Sequence, residues 1–339
     1  MVAFGFALSS EEHTPQELVR QSALAEQHGF SFALISDHYH PWTEHQGQSA
    51  FVWSALGAIA QVTSALQVGT GVTCPIIRMH PAILAQAAAT TQMLFDGRFF
   101  LGVGSGEQLN EHVTGEPWPN AGTRLEMLEE AIELMRLLWR GREVSRIGKH
   151  FVTDEARIFS LPEQAPRVYV AVKGHRAIDL AGRIGDGLVG LAPDREITER
   201  FEAHGGAGKP RIAQVATCFA PTEGESRALV HEWWPNVGLK GRLSSELKTP
   251  EDIESAVEIP ATVDSGMYRI VLGNDPARYI EAVQKMVDAG YDHVYVHNIG
   301  QQQDAFMEFA ERELMPALPL DPARLAAVDI SHANADAAS

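Results

Sequence analysis

The stretch ISDHYHPW, residues 35–42, places an aspartate, two histidines and a tryptophan directly behind an apolar run. Carboxyl and imidazole groups take up and release protons near neutral pH, so Asp37 and His38 could serve a reaction that moves a proton. A single Asp-His pair after a strand is more often a helix cap or a loop contact. An interpretation as a reactive site therefore depends on what other segments bring to the same place.

Two glycine-rich segments also end apolar runs. The alternating glycines of GVGSGE, residues 102–107, remove side chains from the end of a run, so a flat ring could lie against the backbone there. A tight turn would explain the same glycines, and their spacing does not match the dinucleotide-binding pattern GxGxxG. This segment also delivers a carboxyl group, Glu107. The other run ends in Gly71, Val72, Thr73 and Cys74.

The segment KGHRA, residues 173–177, lies where an apolar run changes into a helical pattern. The start of a helix has free backbone N–H groups and the positive end of the helix dipole, and this start adds two cationic side chains. These features suit a phosphate group. A solvated helix cap is the alternative explanation.

Short apolar runs alternate with helical patterns along most of the chain. The runs are nearly continuous, as in a parallel sheet covered by helices on both faces, so the fold class is α/β. A typical helix, 14–29, has Thr14 as N-cap, Pro15 at its first position and Gly29 as its stop. The predicted strands are 2–8, 32–36, 66–73, 98–104, 167–172, 187–192, 212–219, 268–273 and 293–298.

Such alternation is typical of an open doubly wound sheet or of a closed (β/α)8 barrel. Nine strands are one too many for the barrel, and we expect YRIVLG, residues 268–273, to pair outside it. A barrel carries its active site at the carboxyl ends of its strands, where the segments described above would meet. We expect one barrel over residues 1–320, with an insert at about 234–266 beside its mouth and a disordered tail at 321–339.

Charge and cysteine content narrow the partners. A net charge of −17 over 339 residues would repel nucleic acid and anionic membranes, but it says little about a small substrate. Two cysteines, Cys74 and Cys218, are too few for a disulfide framework or a CxxC metal site, which favours reduced thiols in the cytoplasm and no metal. The start MVAFGFALSS lacks the basic region of a signal peptide, and no apolar run approaches the length of a membrane span.

The segments SSEEHTPQELV, SDHYHPW, GTGVTCP, FFLGVGSGEQLNEHVTG and AGRIGDG stand in the order and spacing of the bacterial luciferase-like flavin and deazaflavin oxidoreductases. Among these, the chain resembles the coenzyme F420-dependent glucose-6-phosphate dehydrogenase family, well over about residues 2–190 and loosely beyond. The resemblance implies a single luciferase-like TIM barrel, usually a homodimer, that holds coenzyme F420 at its carboxyl face. FMN is the alternative cofactor.

Matched positions imply roles for individual residues. His38 resembles the general base, Trp42 the aromatic side chain that stabilises a developing anion, Glu107 the acid near N1 of the deazaflavin, and Glu11 a further carboxylate of the pocket. Gly71–Val72 falls where the family has a non-prolyl cis peptide behind the ring. The other implied cofactor contacts are Asp37, Thr73, Cys74, Ser105, Gly106, Asn110 and Lys173, together with the phosphate-holding segment Gly174, His175, Arg176 and Ala177.

The implied chemistry is consistent with these residue types. Oxidation of an alcohol by hydride transfer releases the hydroxyl proton as the hydride departs, and His38 could accept that proton. Hydride arriving at C5 of a deazaflavin builds negative charge over N1, where a carboxyl group could donate a proton if burial raises its pKa. Glu107 fits that task only in its protonated form.

The chain departs from the family where the substrate phosphate would bind. Sugar-phosphate members hold that phosphate with two lysines, a threonine and an arginine, whose positions fall here on Asp194 and Ser244, on Leu191, and on Arg269. An aspartate beside a phosphate dianion costs about 1 kcal/mol even when well solvated. We therefore expect glucose 6-phosphate not to be the preferred substrate, and a neutral alcohol or a different sugar derivative to replace it. Charge that could compensate is present at Lys240, Arg242 and Lys248 in the insert, and at Lys173, where the family commonly has glycine.

Three other functions stay open. The same fold could act as a reductase, in which reduced F420 gives hydride to an activated C=C or C=N bond and His38 donates the proton. Other luciferase-like proteins are FMN-dependent monooxygenases, although the pairing of SDHYHPW with Glu107 argues against that function. A non-catalytic flavin-binding barrel would keep its ligand without His38.

Overall fold

A computed structural model describes residues 2–239, 241–257 and 270–320. Numbered along the chain, its strands are β1 Ala3–Leu8, β2 Phe32–Ile35, β3 Gln67–Thr70, β4 Phe99–Val103, β5 Val144–Ile147, β6 Val152–Ala156, β7 Arg167–Ala171, β8 Gly187–Gly190, β9 Arg211–Cys218, β10 Val271–Leu272 and β11 His293–Asn298.

Eight of the described strands close a parallel barrel, in the order β1-β2-β3-β4-β7-β8-β9-β11 and back to β1. The predicted (β/α)8 fold class is therefore confirmed. β10 pairs only with the last residues of β9, outside the closed ring, as expected for the segment 268–273. The sequence did not indicate the antiparallel hairpin of β5 and β6, whose half-exposed polar strands lack a continuous apolar run.

Helices follow the barrel strands and cover them. The first one begins and ends as predicted: the Thr14 side chain accepts a hydrogen bond from the backbone N–H of Glu17, and Gly29 follows the end with a φ of +82°. The helices are α1 Pro15–Gln27, α2 Val52–Val62, α3 Pro81–Leu94, α4 Gln108–Glu111, α5 Ala121–Leu138, α6 His175–Ile184, α7 Arg195–Phe201, α8 Glu223–Trp233, α9 Leu243–Glu246, α10 Pro250–Ala256, α11 Pro276–Asp288 and α12 Gln303–Phe309, with 3-10 turns at His112–Thr114 and Pro235–Gly238 and π turns at Glu202–Gly206 and Ala310–Leu314.

Large aromatic side chains fill the amino half of the barrel. Phe32 lies over Gly5 and Phe100 over Gly69, so closely that a Cβ on either glycine would stand 2.6 Å or 2.0 Å from the ring. Aromatic rings of one strand thus occupy the space left by a missing side chain on the next. The interior is solid at this level, so open space remains only at the carboxyl half of the barrel.

The described part of the predicted insert contributes a 3-10 turn and two helices, α9 and α10, beside the barrel mouth. Lys240, residues 258–269 with Arg269, and the predicted tail 321–339 lie outside the described residues. None of the described helices combines the length and the apolar character that crossing a bilayer requires.

Candidate active site

The largest cavity found in the described part of the chain, about 710 Å³, opens at the carboxyl ends of the barrel strands. Residues that follow β1, β2, β3, β4, β7 and β8 line it, together with side chains of β9 and β11 and part of the insert. Of the predicted site residues, the structure brings to this cavity Glu11, Asp37, His38, Trp42, Gly71, Val72, Cys74, Ser105, Gly106, Glu107, Asn110, Lys173, Gly174, His175, Arg176, Ala177, Leu191 and Ser244.

The His38 imidazole stands between two carboxyl groups. Its Nδ1 lies 3.2 Å from the backbone oxygen of His40, while its Nε2 lies 3.4 Å from Oε1 of Glu11 and 3.7 Å from Oε2 of Glu107. A carbonyl oxygen only accepts, so Nδ1 carries the proton of the neutral ring. Nε2 is then the basic atom, and it faces the carboxyl groups inside the cavity.

The two carboxyl groups are shifted in opposite directions. Burial raises the pKa of Glu107, and its positive neighbours His38 and Lys173 only partly oppose that rise. Burial acts on Glu11 in the same sense, but the charge of His38 and a hydrogen bond from Ser36 outweigh it and lower the pKa of Glu11. Separated pKa values of this kind assign an anionic role to Glu11 and a proton-holding role to Glu107.

The loop after β2 is held in place from α4. The Asn110 side-chain oxygen accepts hydrogen bonds from the backbone N–H groups of Tyr39 and His40, at 2.9 and 3.3 Å. The Trp42 ring lies beside the His38 ring, with centroids 5.1 Å apart. These contacts fix the position of the imidazole and cover one side of it with an indole.

A buried ion cluster supports three of the cavity loops from behind. The Asp37 carboxylate accepts from the Thr73 hydroxyl at 2.7 Å and from the Arg78 guanidinium at 2.8 Å. The backbone N–H of Arg78 in turn donates to Glu111 at 2.8 Å. Thr73 is fully buried and does not line the cavity, so the structure places it behind Asp37.

Backbone atoms and small residues form the wall on the β3 and β4 side. The peptide bond between Gly71 and Val72 is cis, as the resemblance implied. A Cβ on Gly104 would stand 2.9 Å from the Val72 side chain, and Gly106 has a φ of +74°. Gly102 serves the barrel instead, because a Cβ there would meet the Thr70 carbonyl oxygen at 2.0 Å.

The start of α6 forms a cationic rim around the cavity. Gly174 is the N-cap of this helix, and a Cβ on it would meet nothing within 4 Å, so open space lies in front of the free N–H groups. The Arg176 guanidinium reaches the start of α5, close to Gly122. The Lys173 ammonium donates to the Ser244 hydroxyl at 2.8 Å, which joins the rim to the insert.

The predicted substrate-phosphate residues are divided by the structure. Leu191 and Ser244 line the cavity. Asp194 is the N-cap of α7 and lines a smaller adjoining pocket of about 300 Å³. Arg269 lies outside the described residues.

Several cavity residues escaped the sequence analysis. Gln214, Tyr295 and His297 point into the cavity from β9 and β11, and Glu12 contacts His297 from behind. The strand HVYVHN carried a weak signal, since a histidine and an asparagine at the carboxyl end of a buried barrel strand are unusual core residues. Arg78 and Glu111 gave none, because their roles depend on contacts between separate loops.

A barrel whose carboxyl-face cavity holds an imidazole between two carboxyl groups, opposite a side-chain-free backbone wall, defines an enzyme of the proton- and hydride-transferring class. The sequence model of the luciferase-like monooxygenase family matches residues 1–293. F420-dependent glucose-6-phosphate dehydrogenase of Rhodococcus erythropolis is 35% identical over 327 residues, which cover 93% of this chain and 97% of that protein. The chain therefore belongs to the luciferase-like family, in the branch of the F420-dependent glucose-6-phosphate dehydrogenases.

Solved structures agree with this placement. An F420-dependent secondary alcohol dehydrogenase, in complex with an F420-acetone adduct, superposes with a TM-score of 0.85 at 26% identity, covering 94% of this chain and 99% of that one. The coenzyme F420-dependent tetrahydromethanopterin reductase of Methanopyrus kandleri superposes with a TM-score of 0.72 at 20% identity, over 94% and 99% of the two chains. At that lower identity, the second likeness concerns the fold.

Proposed function

We propose that the protein is a coenzyme F420-dependent oxidoreductase that acts on the C–OH carbon of an alcohol or sugar. The observation that carries this function is the His38 imidazole, whose Nε2 faces Glu11 and Glu107 at 3.4 and 3.7 Å inside a cavity large enough for a tricyclic ring. Relatives over nearly the whole chain are F420-dependent dehydrogenases.

The residues of the cavity fit a deazaflavin with a phosphate-bearing side chain. Gly71, Val72 and Gly104 would face the ring with backbone and small groups, and the N–H groups at Gly174 to Ala177, with Arg176, would hold the phosphate. When bound, the deazaflavin supplies the acceptor or donor of the hydride. Asp37 would act through the backbone around it, because its carboxylate is taken by Thr73 and Arg78.

The chain's own groups manage the protons. His38 Nε2 removes the hydroxyl proton of the alcohol, and the Glu11 anion at 3.4 Å stabilises the imidazolium that forms. Glu107, whose pKa is raised by burial, holds a proton at neutral pH and can donate it toward a developing negative charge. Trp42 excludes water from one side of the imidazole.

Glucose 6-phosphate is not the preferred substrate in this proposal. Asp194 brings a negative charge to the adjoining pocket, and the Ser244 position offers a hydroxyl in place of a lysine side chain. Lys173 returns one positive charge to that place through its bond to Ser244. A kcat/KM for glucose 6-phosphate above those for neutral alcohols would contradict this part of the proposal.

The decisive experiment mixes the purified protein with oxidised F420 and a panel of alcohols and sugars, and follows the loss of deazaflavin absorbance. Absorbance loss with at least one alcohol supports the dehydrogenase. Oxidation of F420H2 by an activated C=C or C=N compound, without alcohol oxidation, identifies the reductase. Tight binding of FMN with dioxygen consumption identifies a monooxygenase.

We also propose that the protein is a homodimer in the cytoplasm, acting on a small molecule and not on nucleic acid. α2 and α3 contain no charged residue, although the chain carries a net charge of −17. Their outer faces expose apolar side chains at Phe51, Val62, Ile83, Met93 and Leu94. A second copy of this face would bury them. Free, buried Cys74 and Cys218 support a reducing compartment.

A further inference from the structure

The cavity has two chemically different halves. On the side of β3, β4, β7 and β8 the wall consists of backbone, glycine and apolar groups such as Val72, Gly104 and Val189. On the side of β9, β11, β1 and β2 it carries hydrogen-bonding side chains. A flat ring suits the first half, so the second half, which includes His38, is left for the substrate.

A chain of hydrogen bonds fixes the polar groups of the second half. The Tyr295 hydroxyl donates to Oε1 of Gln214 at 2.8 Å, which turns the amide nitrogen of Gln214 toward Nδ1 of His297 at 3.4 Å. Nδ1 then accepts, and Nε2 carries the proton toward Oε2 of Glu12, 3.4 Å away. The other oxygen of Glu12 accepts from the backbone N–H of Gly300 at 2.8 Å. The direction of every bond is therefore set from both ends.

This chain leaves Gln214 able to bind a ligand. An amide has two N–H donors and two oxygen lone pairs, and within the described residues one of each is taken by His297 and Tyr295. One donor and one acceptor remain on a side chain that lines the cavity. A hydroxyl group, which both donates and accepts, matches that pair.

The substrate half is short of positive charge. In the described part of the chain, the cavity-lining lysine and arginine residues, Arg124, Lys173, Arg176 and Arg242, come from elements other than β9, β11, β1 and β2. Glu11, at the junction with His38, is an anion at neutral pH because the pKa of its carboxyl group is lowered. An anionic substrate group would be repelled there. The Trp234 ring, 4.6 Å from the His297 ring, adds an aromatic surface for the apolar face of a sugar or polyol.

We propose that Gln214, oriented by Tyr295 and His297, binds a second hydroxyl group of the substrate next to the carbon that His38 serves, so that the enzyme selects a neutral polyol or sugar over a simple alcohol. This inference rests on the proposed dehydrogenase function and adds the class of substrate. Gln214 is the residue that contacts the substrate, whereas Tyr295 and His297 are positioning residues.

The test uses two alcohols that differ by one hydroxyl group, 2,3-butanediol and 2-butanol, as substrates for F420 reduction. For Gln214→Met we expect kcat/KM for the diol to fall about tenfold, the effect of one lost hydrogen bond, while the value for 2-butanol stays within about twofold. Tyr295→Phe, which removes only the oxygen that orients Gln214, should change the ratio in the same direction by a smaller factor. Gln67→Met, at the amino end of β3 and away from the cavity, is the matched control.

An equal loss for both alcohols, or no loss for either, would overturn the proposal. A second readout does not depend on turnover: quenching of tryptophan fluorescence by 2,3-butanediol or glucose should require Gln214, since Trp42 and Trp234 line the same cavity. If the wild-type protein reduces no F420 with any alcohol, the proposed function fails. Polyol binding that is lost in Gln214→Met would still support the hydroxyl subsite.

Discussion

At the scale of single residues, the site depends on two carboxyl groups that the same imidazole separates. Glu11 is enclosed by hydrogen-bond donors and a histidine, which favour its charged form, whereas Glu107 has burial without comparable donors. Equal side chains thus receive different protonation states from their surroundings. The same difference makes opposite predictions for stability.

Replacing each carboxyl group by its neutral amide should change the melting temperature at pH 7 in opposite directions. Glu107 has a raised pKa, so its ionisation opposes folding above that pKa, and Glu107→Gln should raise the melting temperature by about 1–3 °C. Glu11 has a lowered pKa, so its charge stabilises the fold above about pH 4.3, the unfolded value, and Glu11→Gln should lower the melting temperature. Both differences should shrink as the pH falls toward 4, in thermal scans from pH 4 to 8. A destabilised Glu107→Gln at pH 7 would refute the assignment.

The role of His38 makes a kinetic prediction. His38→Ala removes the proton acceptor, so kcat/KM should fall by about 10²–10⁴-fold. The dissociation constant for F420, measured by fluorescence, should change by less than about threefold, because the backbone wall and the α6 rim remain. His45→Ala, in the same loop with a side chain that is 47% exposed, should retain activity. Full activity of His38→Ala would point to a binding protein or to another base.

At the scale of elements, the barrel depends on glycines that admit the aromatic ring of a neighbouring strand. Gly69→Ala would place a methyl group 2.0 Å from Phe100 in its present position, and we expect a loss of about 1–3 kcal/mol in the free energy of unfolding. Phe100→Leu alone leaves a cavity, but Gly69→Ala with Phe100→Leu should recover part of the loss. Urea unfolding of the four proteins measures this coupling, and strictly additive losses would contradict the packing described for these strands.

Elements with a local cause were predictable from the sequence. The apolar runs of β1 to β4 and β7 to β9, the cap of α1 at Thr14, and the change from strand to helix at Gly174 all arise from residues close in the chain. The β5–β6 hairpin was missed because its strands are too exposed and too polar to form an apolar run. β10 could be set apart only by spacing and count, since its own residues read as an ordinary barrel strand.

At the scale of the whole molecule, the sequence analysis reached half of the cavity. His38 and Glu107 were found because each follows a strand in a distinctive motif. Glu12 and His297 stand 285 positions apart and meet only because β1 and β11 are neighbours in the closed ring. Thr73 shows the converse, since its segment was identified correctly while its side chain turned toward Asp37 and away from the cavity. Motifs thus locate strand ends, but the direction of each side chain depends on the assembled barrel.

The uncharged outer face of α2 and α3 makes the last prediction, which concerns assembly. On α3 the exposed residues Ile83, Gln86, Thr90 and Leu94 recur at helical spacing and form one stripe without charge. Burial of such a stripe stabilises association by about 25 cal/mol per Å² of apolar surface, and a carboxylate placed within it would remain unpaired. Light scattering should therefore find a dimer for the wild type and a monomer for Ile83→Glu. Ile147→Glu is the matched control, because Ile147 is 89% exposed but belongs to the β5–β6 hairpin. A dimer that survives Ile83→Glu and dissociates with Ile147→Glu would move the interface to the hairpin.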